Sequence, residues 1–178
     1  MFQESTGIGS YGESSSLMGH VTVIQKNPQG DILSYQQYDN IIVNDGLNCI
    51  TQVAFATANA TCAAGTSTDQ FDNVALLGSN PAPVAEDTAA SGLVRLTGGG
   101  LTATTLGVDG VTTTQGKSVT AIQHTFTKTN ATAATVGGAT LQNGAGDAIF
   151  AAKAFGGGDL TLNESDTLEI TWTIQLGA

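Results

Sequence analysis

The sequence predicts a mainly β protein: a single-domain antiparallel β-sandwich, jelly-roll or immunoglobulin-like, with one short α-helix near residues 46–58. Three observations lead there. From Thr167 to Leu176 polar and apolar residues alternate without a break, which puts Leu168, Ile170, Trp172, Ile174 and Leu176 on the core face of a half-buried strand. Elsewhere, short apolar runs are separated by clusters of Gly, Asn, Asp and Pro, the punctuation of many short strands. Only after Asn44-Asp45-Gly46 does the spacing change to three and four. A chain of 178 residues suits one core.

Residues 1–18 are rich in Gly and Ser, carry no sustained period, and read as a flexible arm preceding a domain over 19–178. Within the arm, Gly7-Ile8-Gly9-Ser10-Tyr11-Gly12 satisfies the spacing of a dinucleotide loop. That chemistry needs a strand before the loop and a helix after it, and the sequence offers neither. Ile8, Tyr11, Leu17 and Met18 are instead candidate contacts with a neighbouring subunit.

A hairpin follows, with strands at His20–Gln25 and Asp31–Tyr38 around the turn Asn27-Pro28-Gln29-Gly30. Ile41–Val43 is expected to extend that sheet. Leu47, Ile50, Val53 and Ala54 then mark the helix, capped by Asn44 or Asp45. After a small-residue loop, Phe71–Leu77 reads as an interior strand, Ser79–Asp87 as an exposed loop, and Leu93–Thr97 as a short strand. Leu101–Leu106 and Ser118–Lys128 are expected strands joined by a turn-rich connection over Gly107–Gly116. Val136–Leu141 and Ala148–Phe155 are the next two, and a short piece between turns leads to the last strand.

Composition narrows function. Only 11% of residues are charged, where about 25% is usual, so the polar surface is mostly Thr, Ser, Asn and Gln. Such a surface suits packing against neighbours, because few charges have to be desolvated. A net charge of −10 with five Lys and Arg leaves no basic patch, which argues against nucleic acid. No apolar run approaches the ~18 residues of a membrane span, so no membrane insertion is expected. The N-terminus lacks a signal peptide's basic start and apolar stretch, so the chain as written reads as cytoplasmically made. A mature form with its leader removed and a Met restored would read the same way.

Chemistry-bearing residues are sparse. Cys49 and Cys62 fit no metal-ligand spacing; they read either as small buried apolar residues or as a disulfide closing a short loop. His124, between Ile122 and Phe126, belongs on the inward face of its strand, where a lone His is usually hydrogen-bonded structure; His20 is far away in sequence. Asp159, Glu164 and Asp166, with Glu169 nearby, are the residues that could hold calcium, although solvated turn carboxylates are far commoner and the spacing is not that of an EF-hand. No other cofactor is indicated. The Asn-x-Ser/Thr sequons at Asn59, Asn130 and Asn163 match chance in so Thr-rich a chain. No nucleophile-base-acid combination is recognisable, and the expectation is of no enzyme.

The order of these pieces carries a resemblance. The segment Asn40-Ile41-Ile42-Val43-Asn44-Asp45-Gly46 before a helix, then Phe71-Asp72-Asn73-Val74-Ala75-Leu76-Leu77-Gly78, Val136–Asn143, Ala148–Phe155 and the closing Asp166–Ile174 together resemble a loose group of virion proteins. These are head-decoration, neck or tail-fibre components of tailed phages and archaeal tailed viruses. The similarity spans residues 19–176 and implies a non-enzymatic, commonly oligomeric structural subunit located in the virion, whose partners are copies of itself and other virion proteins. The cysteine pair and the Gly/Ser arm depart from that group. An arm before a β-sandwich also suits a pilus-like extracellular filament at the cell surface, in which one subunit's arm fills the sheet edge of the next. A carbohydrate-binding module or an enzyme on the same fold is the third expectation, since fold does not fix function.

Overall fold

A computed structural model describes residues 17–44, 46, 47, 49, 50, 71–87, 93, 96, 110–114, 119–143 and 148–176. Among them run eleven strands: β1 (Leu17–Lys26), β2 (Ile32–Asp39), β3 (Ile41–Ile42), β4 (Asn73–Leu77), β5 (Gly110–Thr114), β6 (Val119–Thr127), β7 (Ala134–Val136), β8 (Gly138–Gln142), β9 (Ile149–Ala154), β10 (Leu160–Leu162) and β11 (Thr167–Leu176). They form a five-stranded sheet in the order β2-β1-β11-β6-β5, a four-stranded sheet β3-β9-β8-β4, and a pair β10-β7. Every ladder is antiparallel. The protein is mainly β.

Alternation places β11 at the centre of the larger sheet. Leu168, Ile170 and Trp172 are fully buried, and Ile174 nearly so. Across the ladders Val21 sits opposite Trp172 and Val23 opposite Ile170 on one side, with Ile122 opposite Trp172 and Phe126 opposite Leu168 on the other. These inward residues share one core with Val74, Leu76, Leu141 and Phe150 of the four-stranded sheet. Leu160, Leu162, Ala134 and Val136 of the β10-β7 pair join the same core. Leu176, expected in the row, is instead 48% exposed. It ends the strand opposite Leu17, at the rim of the sheet.

The four-stranded sheet is buried on both faces over β4 and β8, as the apolar run Val74–Leu77 predicts. A second, smaller cluster of Val43, Ile149 and Ala152, with Leu93 against it, packs apart from the main core. A bulge in β9 sets Gln142 opposite Ile149 but Leu141 opposite Ala151, leaving Phe150 as the extra residue. Its ring meets Phe71 at 5.2 Å, and its carbonyl accepts from the Val43 amide at 3.0 Å.

Several expectations change. Ile41–Ile42 pairs with β9 rather than extending the first sheet, because the chain crosses between sheets at Asn40. The arm expected over 1–18 ends two residues earlier, since Leu17 and Met18 already pair with Leu176 and Gln175; residues 1–16, with Ile8 and Tyr11, lie outside the described residues. The connection 107–116 contains a strand, β5, because Thr-rich segments form edge strands without apolar alternation. Residues 134–142 form two strands, broken at Gly137. A Cβ there would lie 2.6 Å from the Gly78 carbonyl oxygen and 2.6 Å from the Pro81 ring, so the step from one sheet to the other requires glycine. Leu93 and Leu96 are not in a strand; the Leu96 amide donates to Leu76 O at the β4 edge.

Asn44, Gly46, Leu47, Cys49 and Ile50 are helical, and residues 51–58 of the expected helix lie outside the described residues. The first helical bond runs from Leu47 N to Val43 O, so the cap position is Val43, not Asn44 or Asp45. The free amide of Asn44 is satisfied by Ala85 O at 2.8 Å. Gly46 lets this turn approach β9, since a Cβ would stand 2.5 Å from Phe150 O.

Ile170→Asp should unfold the protein, because a carboxylate would be buried in the core without a partner at a cost exceeding ~4 kcal/mol. Circular dichroism checks this; a variant that melts like the parent would refute the inward placing of that row.

Candidate functional site

The five-stranded sheet has the longest ladders among the described residues, and its outer face is a regular surface. Residues paired directly across a ladder share a face, so the registers lay out its rows. One runs Gln37, Thr22, Thr171, Gln123; the next runs Tyr35, Ile24, Glu169, Thr125; a third runs Asp39, His20, Thr173, Ala121. Most of these side chains are neutral. Lys26 Nζ lies 3.7 Å from Glu169, and the His20 ring Nδ1 lies 3.4 Å from Asp39. Exposed pairs of this kind contribute at most about 1 kcal/mol.

β2 is one margin of this sheet. Ile32, Leu33 and Tyr35 on it are 60%, 53% and 55% exposed. Its inward side is polar: Tyr38 donates to Gln36, and the Gly157 amide donates to the Tyr38 hydroxyl at 2.9 Å. Where β2 ends, Leu17, Met18, Gly19, Asp39, Asn40, Ile42 and Leu47 surround a groove of ≈ 490 Å³. The Asn40 amide lies over Gly19, in the space a Cβ would take. Its oxygen and nitrogen are both buried without a partner. Of the four arm residues expected to contact a neighbour, Leu17 packs against the core and Met18 is exposed at this groove.

Two of the three calcium candidates, Asp159 and Asp166, accept hydrogen bonds from turn amides. Asp166 is 3% exposed; its Oδ2 accepts from the Asn163 amide at 2.8 Å and from Gln25 Nε2 at 3.4 Å. Asp159 Oδ1 accepts from the Asn80 amide at 3.1 Å, and Glu164 is exposed in the turn between. Among the described residues no three of His, Cys, Asp and Glu converge as metal ligands. The Asp159 and Asp166 carboxylates shape turns, a role the sequence shows only as acids beside Asn and Ser.

His124 stands opposite Ile170 on the inward face and meets the Phe126 ring edge-on at 4.5 Å. Lys128, taken only as a strand end from the sequence, is almost fully buried, and its Nζ donates to Asn130 O at 2.8 Å and to the Asn130 side chain. Cys49 is buried and disulfide-bonded. Cys62, the other cysteine of the chain, lies outside the described residues. No helix among the described residues is long and apolar enough to cross a membrane.

Compared with protein-family models, curated proteins and solved structures, the chain matches none.

Asp166→Ala should destabilise the fold by ~1–3 kcal/mol, since the part-buried Asn163 amide loses its acceptor and the buried Gln25 keeps only Thr161 O; urea melts read this. Reduction with dithiothreitol should lower stability by up to about 3 kcal/mol, the expectation for a loop of about 15 residues, read as a lower urea midpoint.

Proposed function

We propose that this protein is a non-enzymatic structural subunit that works by assembly, as a capsid-decoration, neck or tail-fibre component of a virion. The observation that supports this best is the outer face of the five-stranded sheet: seven of the twelve residues in its three rows are Gln, Thr or Ala, and Glu169 and Asp39 are the acids among them. Such a face can be covered by another subunit at little desolvation cost. A core shared by two antiparallel sheets supports the finer reading of the fold as a jelly-roll or immunoglobulin-like sandwich. The partners are copies of itself and other virion proteins, not nucleic acid or a membrane interior.

The second reading, a pilus-like extracellular filament, is favoured by two observations. Cys49 is disulfide-bonded, as befits an oxidising exterior. The N-terminal residues enter the fold at Leu17 beside a groove where the Asn40 amide lacks a partner, and an extended segment from a neighbour could supply its hydrogen bonds.

Negative-stain electron microscopy of the full-length chain, with light scattering for mass, tests both. Discrete closed oligomers, or particles that bind a capsid or tail, are expected for the virion subunit. Long filaments that disappear in the double variant Ile8→Asp, Tyr11→Asp would favour the filament. A monomer at all concentrations that shows ligand-induced stabilisation by a saccharide would overturn both.

A further inference from the structure

We propose that the open margin of β2 is a self-association edge, along which a second copy of this chain pairs antiparallel about a two-fold axis through Gln37. The proposal rests on the reading of the chain as an assembling subunit and names the strand, register and partner.

The direction of the free main-chain groups follows from the ladder. In an antiparallel pair, residues that exchange both hydrogen bonds alternate with residues whose N–H and C=O point away. The main-chain N–H of Asn40 donates to Gly19 O at 3.1 Å. In the same register Val21 pairs with Tyr38, Val23 with Gln36 and Gln25 with Ser34, so these even-numbered residues of β2 bond to β1. Tyr35, Gln37 and Asp39 therefore turn their N–H and C=O groups to the open margin. All three are exposed, and among the described residues the strand order places β2 at the limit of its sheet.

Natural sheets protect such edges with a Lys, a Pro, a bulge in the strand's middle, or a covering segment. Ile32–Asp39 contains neither Lys nor Pro, and its one irregularity lies at its start, beside Lys26. The edge at β4 is treated differently, for there the Leu96 amide donates to Leu76 O.

The occupant, a second copy, follows from the assembling-subunit reading, and charge selects its register. The acids on this segment are Asp31 and Asp39, and no base accompanies them on β2. A parallel copy in register would stack Asp39 on Asp39. An antiparallel copy centred on Tyr35 would set Asp39 opposite Asp31. Centring on Gln37 sets each Asp39 opposite the partner's Tyr35, whose hydroxyl can donate to it. The two Asp39 carboxylates then stand four residues apart along the strands, about 13 Å and beyond the Debye length of ~8–10 Å. At the axis, Gln37 meets its own symmetry mate, two neutral amides that are mutually complementary. The row Gln37, Thr22, Thr171, Gln123 then continues into its mirror sequence in the second copy, and two five-stranded sheets become one of ten.

Sedimentation velocity on the full chain over a concentration series, with three variants, decides the matter. Gln37→Pro removes an outward N–H and no intrachain ladder bond, so the monomer fold should survive. Gln37→Lys sets two ammonium groups at the axis. Both are expected to weaken dimerisation by about tenfold or more with parental circular dichroism. Gln37→Cys should give a disulfide-linked dimer under mild oxidation, because paired Cα atoms at ~5.5 Å suit that bond; Thr22→Cys, one strand inward, should not. A wild-type chain that remains monomeric throughout overturns the proposal, as does a Gln37→Cys chain that never cross-links. An oligomer unmoved by Gln37→Pro and Gln37→Lys also overturns it, yet leaves the assembling-subunit reading standing; if Ile8→Asp with Tyr11→Asp dissolves that oligomer, the arm is the contact.

Discussion

The inward row of β11 is the constraint on which the rest of the structure depends. Leu168, Ile170 and Trp172 are removed from water, and each faces an apolar residue on β1, β6 or both. Side chains on a strand alternate between faces, so a one-residue slip of either neighbour would turn that neighbour's apolar row away from the core. Burying these three side chains and their partners contributes roughly 1.5–3 kcal/mol for each large apolar residue. That gain fixes two registers over nine or ten residue pairs. It also accommodates a defect, the buried Trp172 N–H without a hydrogen-bond partner. The indole is held by shape and apolar contact rather than by its polar atom.

With β11 fixed, the remaining strands arrange themselves around where the chain can cross between layers. Asn40 is one crossing and Gly137 another, and both depend on close approach: an amide lying over Gly19, and a glycine pressed against Gly78 and Pro81. At these corners the backbone leaves one sheet and pairs in another, as β3 does with β9 and β8 does with β4. Carboxylates secure the turns between strands, with Asp166 holding the Asn163 amide and Asp87 the Val84 amide at 2.7 Å. Acids at loops here belong to the framework, so acidity by itself is poor evidence of a metal site.

The surface that results has little reactive chemistry among the described residues and much regular geometry. Its broad outer face is largely neutral, one margin is open, and a groove at the start of β1 contains an unpaired amide. On the reading proposed above, these are the features along which one subunit would meet another. A buried disulfide-bonded Cys49 adds covalent reinforcement where a low-charge protein has few ion pairs to draw on.

The sequence by itself determined the class of fold and its centre. Strict alternation from Thr167 to Leu176, the apolar run at Val74–Leu77 and the Asn27 turn were legible because each depends on neighbours in the chain. Partnership between strands was not legible. Nothing near Ile41 shows that it joins β9 across more than a hundred residues, and nothing near Gly137 shows that it must break a strand. The Thr-rich β5 looks like a loop until β6 lies beside it. The site was harder still: Asp166 became a turn acceptor, and β2 an open margin, only once other segments had taken or left their hydrogen-bonding groups. Periodicity is a local property that one strand carries alone, whereas which edges are covered depends on long-range pairing, and only the tertiary structure decides that.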